Sequence, residues 1–74
     1  MINYKQYIGI NSGVRFGKPT IIGTRITVFD VLNWVANGMT TNEIIEDFPE
    51  IDENQIKACL TYAADRERKI QIAS

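Results

Sequence analysis

The sequence predicts a mostly α domain: a three-helix bundle of helix-turn-helix, homeodomain-like type, preceded by a short β-containing N-terminal arm. Two observations carry this. Three N-terminal capping signals recur at Thr27, Thr40 and Asp52, and apolar residues follow at helical spacing. Ahead of the first signal, glycine, proline and β-branched residues alternate in a way no helix tolerates. The expected division of the 74 residues is a β/turn arm over 1–27, a helical core over 28–69 and a tail over 70–74, together forming one domain.

The arm's defining stretch is Gly17-Lys18-Pro19-Thr20-Ile21-Ile22-Gly23-Thr24-Arg25-Ile26-Thr27-Val28. Pro19 fixes its own φ and pushes Lys18 towards extended geometry. Thr20, Ile21 and Ile22 favour a strand because their branched side chains are stiff at χ1 and pack well on a pleat. Gly23 permits the positive φ of a tight turn. Gly17, Pro19, Gly23 and Thr24 are therefore read as the structural motif of the arm, with Arg25 attached to it. Upstream, Ile8-Gly9-Ile10 reads as a short strand, Asn11-Ser12-Gly13 as a turn and Val14-Arg15-Phe16 as a second extended piece. Such fragments are too short for an independent sheet. They are expected to pair with the same segments of a second subunit or to drape over the helices.

The first helix is expected to start at Val28, with Thr27 as N-cap and Asp30 closing the capping box. Val28, Val31, Leu32 and Val35 make one buried stripe, flanked by Phe29 and Trp34, which are read as core or dimer seam. Asn37-Gly38 ends this helix through a left-handed residue. The second helix is about two turns long. Thr40 caps it, Glu43 closes its box, Ile44, Ile45 and Phe48 face inward, and Pro49 stops it. The third opens at Asp52 with Gln55 as box partner and buries Ile56, Cys59, Leu60 and Ala63. It is expected to run to Glu67–Lys69, with Ile70-Gln71-Ile72 as an extended tail. A short helix, a tight turn and a longer helix are the spacing of a helix-turn-helix.

The GKPTIIGTRITV string, continued by Asn37-Gly38-Met39-Thr40-Thr41-Asn42-Glu43-Ile44-Ile45, Asp47-Phe48-Pro49 and Tyr62-Ala63-Ala64, resembles the domain-of-unknown-function-433 family. The resemblance covers nearly the whole chain from Tyr7. It implies a small prokaryotic helix-turn-helix protein predicted to be the antitoxin of a type II toxin–antitoxin pair. It also implies a homodimer that binds a cognate toxin, commonly a PIN-like nuclease, and represses its own promoter.

Composition limits the function classes. A chain this short buries only about 60% of its unfolded surface. Its 45% apolar content exceeds what a small monomer hides comfortably, which favours a two-fold homodimer. The single cysteine excludes an internal disulfide and suits a reducing cytoplasm, and no apolar run reaches membrane-spanning length. Without histidine there is no Ser/His or Cys/His pair, so no enzyme is expected. No cofactor or metal is expected either. Glu43, Glu46, Asp47 and Glu50 read as a solvated face, and the glycine spacing is not that of a P-loop.

The formal net charge is −1, which opposes a dedicated nucleic-acid binder. Lys5, Arg15, Lys18 and Arg25 make the arm basic, the middle is acidic, and Lys57, Arg66, Arg68 and Lys69 return positive charge near the end. Either these bases form one positive face, or arm and middle attract each other within the fold. Candidate DNA contacts are Arg15, Lys18 and Arg25 in the arm and Asn54, Lys57 and Thr61 on the third helix. For Arg25 the favoured alternative is an ion pair with Asp30 or Glu53. Candidate toxin contacts are Arg66, Arg68 and Lys69, placed to meet an acidic nuclease centre, and Ile70 and Ile72, placed to add a strand to the toxin's edge.

Overall fold

In this computed structural model the backbone is described over residues 3–73 and the side chains over residues 3–67. Three helices, α1 (Val28–Ala36), α2 (Thr41–Asp47) and α3 (Glu53–Ala73), follow a small antiparallel sheet made of β1 (Ile8–Gly9) and β2 (Thr20–Ile21).

Each helix starts where its local hydrogen-bond chemistry dictates. The Asp30 amide donates to Thr27 Oγ1 at 2.9 Å, and the Thr27 amide donates to Asp30 Oδ2 at 3.0 Å. The same reciprocal pair joins Thr40 to Glu43 and Asp52 to Gln55. All three boxes satisfy amides that a helix start otherwise leaves unpaired. At Glu43 the Thr40 backbone amide and hydroxyl hold the carboxyl below its ordinary value. Gly38, at φ 92°, turns the chain out of α1.

The core is Ile8, Ile21, Ile26, Val28, Val31, Ile44, Ile51, Ile56, Ala58 and Cys59, so the arm supplies three of its isoleucines. The exposure of the stripes differs from the sequence expectation at their edges. Val35 and Leu60 are exposed, whereas Ala58 is wholly buried. On α3 the covered face takes in Ala58, Cys59 and Tyr62, because this helix packs both against α1 and against a 3-10 turn at Tyr4–Gln6. Tyr4 anchors that turn. Its ring meets Tyr62 edge-on at 5.4 Å, and its hydroxyl donates to Asp65 Oδ2 at 2.6 Å. On the opposite side Trp34 stacks on Phe48 at 4.2 Å and ties α1 to the end of α2.

The arm departs from expectation in two places. Its strands pair with each other, Ile8 opposite Ile21 and Gly9 opposite Thr20, so no second subunit is needed to complete them. And Val14-Arg15-Phe16 is not extended. After Val14 the chain enters a tight turn over Arg15–Gly17, because Arg15, Phe16 and Gly17 all have positive φ. The segment at 70–72 also differs: it continues α3, which reaches Ala73 without an extended tail. Among the described residues no helix is long and apolar enough to cross a membrane.

Candidate functional site

The GKPTIIGTRIT stretch folds into a hairpin whose job is to deliver Thr27 to the start of α1. Ile21 donates its amide to the Ile26 carbonyl at 2.9 Å, and Thr20 bridges Thr27. Between them, the Thr24 amide donates to the Ile21 carbonyl at 3.0 Å and closes a tight turn in which Gly23 has φ 86°. Thr24 Oγ1 reinforces the turn, donating to the Ile21 carbonyl and accepting from the Ile26 amide. The Val28 amide donates to the Pro19 carbonyl at 3.0 Å. Thr20 and Thr27 are buried polar residues, and among the described residues no buried side-chain N or O atom lacks a hydrogen-bond partner.

Arg25 stands exposed, and the expected ion pair with Asp30 or Glu53 is absent. Both acids are already engaged. Arg15 Nη1 lies 3.2 Å from Asp30 Oδ2 and also donates to the Arg25 carbonyl at 3.0 Å, while Glu53 pairs with Lys57 at 3.0 Å along α3. Arg15 wins Asp30 because its left-handed backbone, φ 49°, turns the side chain back over the start of α1. The guanidinium thus fastens three things at once: the tight turn, the end of the hairpin and the capping carboxylate of α1.

The other predicted contacts are scattered. Lys18 is exposed and extended after the turn. Asn54 and Lys57 are exposed on the first turns of α3, with the Lys57 charge committed to Glu53. Thr61 is half-buried rather than on an open face. Exposed Glu50, Asp52 and Glu53 crowd the entry to α3. Arg66 is exposed, its guanidinium 5.6 Å from the centre of the Tyr62 ring. The side chains of Arg68, Lys69, Ile70 and Ile72 lie outside the described residues.

Depressions mark the surface around the hairpin and α1. A cleft of 660 Å³ runs along the hairpin, lined by Gly9, Asn11, Ile22, Thr24, Arg25 and Glu50 among others. A groove of 400 Å³ lies between the arm, α1 and α3, walled by Ile10, Pro19, Val28, Phe29, Leu32 and Tyr62 and edged by Arg66. Ile10, 69% exposed, lines both, Ile22 (56%) lines the first and Phe29 (67%) the second, while Phe16, 97% exposed, stands on the turn before Lys18 and lines neither. Phe29 is thus not core. Phe16 was legible only as part of an apolar, supposedly extended piece, because it belongs to no periodic stripe. Its φ of 60° adds a cost, since a left-handed non-glycine residue is strained by about 1–2 kcal/mol.

Cys59 is buried on α3, and burial pushes its thiol from 9.0 up to about 12, so the nucleophilic thiolate is suppressed. Among the described residues no group of three or more Asp, Glu or Cys side chains is placed to hold a metal ion.

Comparison with known proteins follows the same outline. The family model described as "Protein of unknown function (DUF433)" matches residues 8–63, which takes in the sheet, the hairpin, α1, α2 and half of α3. The crystal structure of a DUF433 member protein from Anabaena variabilis is similar with a TM-score of 0.78 at 25% identity, covering 96% of this chain and 74% of that one. An uncharacterized protein of Sinorhizobium fredii, y4eO, is 36% identical over 47 residues, or 64% of this chain. The matched region spans 21% of that curated relative.

Proposed function

The chain belongs to the DUF433 family, and on that premise we propose that it is a non-enzymatic, cytoplasmic protein-binding module, the antitoxin of a type II toxin–antitoxin pair. The observation that carries this reading is the exposed apolar surface of Ile10, Phe16, Ile22 and Phe29. Four large apolar groups left exposed on so small a surface are what a protein partner covers. In this reading the chain is a homodimer whose partner is a PIN-like nuclease. The basic end of α3, with Arg66, Arg68 and Lys69, approaches the carboxylates such a nuclease gathers around its metal. Helical geometry at 70–72 favours docking of α3 as a helix in a groove over the addition of a strand.

Co-expression with the protein encoded beside it tests this reading. A stoichiometric complex that silences a nuclease is expected, and a chain truncated after residue 68 should keep its fold and lose the complex. Silencing by the truncated chain would exclude the end of α3 as the toxin contact. A complex that never forms would remove the antitoxin reading itself.

A second reading, operator binding through the helix-turn-helix, is supported by one observation. Lys18 and Arg25 are exposed and make no ion pair among the described residues. The acids around the entry to α3 oppose it, since they repel phosphates where a recognition helix needs attraction. In this reading Lys18→Gln and Arg25→Gln weaken binding to every duplex and flatten its salt dependence, while Asn54→Ala changes sequence preference. A gel-shift titration against the upstream DNA at two salt concentrations decides it.

A further inference from the structure

Phe16 and the α1 groove are a knob and a hole on one chain. The knob is presented deliberately. Three successive left-handed residues, Arg15, Phe16 and Gly17, form the turn. Backbone hydrogen bonds from Gly17 to Val14 at 3.1 Å and from Lys18 to Arg15 at 3.2 Å close it, and the Arg15 guanidinium clamps it to the Arg25 carbonyl and Asp30. The result is a phenyl ring held 97% exposed on a braced turn, which does nothing for the isolated chain. Strain of this kind persists when it positions a group for use.

The hole has apolar walls, Pro19, Phe29, Leu32 and Tyr62 among them, and its volume of 400 Å³ admits a phenyl ring. Arg66 at its edge can lay a cation on the incoming ring as it already does on Tyr62. Knob and hole are also close. Phe16 precedes Pro19 by three residues, so their Cα atoms are separated by at most about 11 Å. A two-fold axis passing between them lets each knob enter the other chain's hole, and the contact closes on itself instead of propagating. Each seated aromatic buries about 150–250 Å². Ile10 and Phe29, both mostly exposed beside the groove, extend the contact towards the roughly 800 Å² per partner of a stable interface.

We propose that the protein is a two-fold dimer in which Phe16 of each protomer sits in the Pro19–Phe29–Leu32–Tyr62 groove of the other. This deepens the dimer of the functional reading above and rests on nothing about toxin or DNA.

Sedimentation equilibrium on three chains tests it: the wild type, Phe16→Asn and Phe29→Asp. Asparagine accepts the left-handed backbone, so Phe16→Asn removes the ring without disturbing the turn. Phe29 is exposed, so Phe29→Asp spoils the groove without opening the core. The wild type is expected to dimerise, and each variant to dissociate at least tenfold more readily while keeping the helical circular dichroism of the folded chain. Mixing the two variants should restore a heterodimer, because one intact knob then meets one intact groove. A wild type that stays monomeric overturns both this inference and the dimeric reading. A Phe16→Asn dimer as tight as the wild type overturns the seating alone and leaves a dimer built elsewhere. Variants that dissociate but form no heterodimer when mixed also overturn reciprocal seating, as does loss of binding to a different protein in Phe16→Asn while the wild-type chain is monomeric.

Discussion

The arm contains two tight turns only a few residues apart, and they are built on opposite terms. At Ile21–Thr24 the residue that must take positive φ is Gly23, and an added Cβ there would meet nothing within 4 Å. The turn is relaxed, its polar groups are paired through Thr24, and its flanking Ile21 and Ile26 are buried. At Arg15–Gly17 the left-handed positions fall to an arginine and a phenylalanine as well as a glycine, and the phenylalanine is almost wholly exposed. The first turn obeys every local preference and serves the fold. The second violates two of them, propensity and burial, and is held in place by the ion pair of its own Arg15 with Asp30 outside the turn. Where local rules fail without benefit to the core, the natural place to look is the surface a partner uses.

The comparison makes predictions that differ in sign as well as size. The largest concerns burial. Ile21→Ala should cost about 2–5 kcal/mol in urea unfolding, because it opens a cavity at a wholly buried position, whereas Phe16→Ala should change monomer stability by less than about 0.5 kcal/mol. Equal losses at the two sites would show that Phe16 is packed after all. Next comes the backbone. Gly23→Ala should lower stability by about 1 kcal/mol through strain alone, and Phe16→Gly should raise it by up to about 1 kcal/mol by releasing strain. Thermal melts of the pair, taken at concentrations where the chain is monomeric, read this, and two shifts of the same sign would break the contrast. A smaller effect is expected from Arg15→Gln. The pair with Asp30 is partly exposed, so its loss should cost under about 1 kcal/mol, and the deficit should shrink in high salt.

Cys59 gives an effect bound wholly to alkaline pH. Its folded thiol titrates higher than its unfolded one, so above pH 9.0 the unfolded chain releases a proton that the folded chain keeps. Stability from this group is therefore full below pH 9.0 and is lost as pH rises towards about 12. Cys59→Ala should flatten the fall in melting temperature between pH 8 and pH 10.5 relative to the wild type. Identical slopes would mean that the thiol is not buried in solution.

How far the sequence could be read depended on the range of the interaction. The three capping boxes were legible because donor and acceptor are three residues apart, and helix geometry alone brings them together. Gly23, Thr24 and the ends of α1 and α2 were legible for the same reason. Arg25 was misread because the competitor for Asp30 is Arg15, fifteen residues upstream, and only the left-handed turn brings it near. Val14–Phe16 was misread because β-like composition says nothing against a strained turn that distant groups hold shut. For the candidate site, the basic residues could be listed from the sequence but not weighed. Lys57 looked available until Glu53, one helical turn away, took its charge.

From the sequence by itself came the helical class, the positions of all three helix starts and the glycine-dependent turn, since each rests on hydrogen bonds or sterics within a few residues. Only the tertiary structure decided that β1 pairs with β2 inside one chain and that Arg15 clamps the arm to α1. It alone decided that Phe16 and Phe29 lie outside the core. Those outcomes depend on which distant surfaces compete for the same apolar face or the same carboxylate, and that competition is settled only when the whole chain packs.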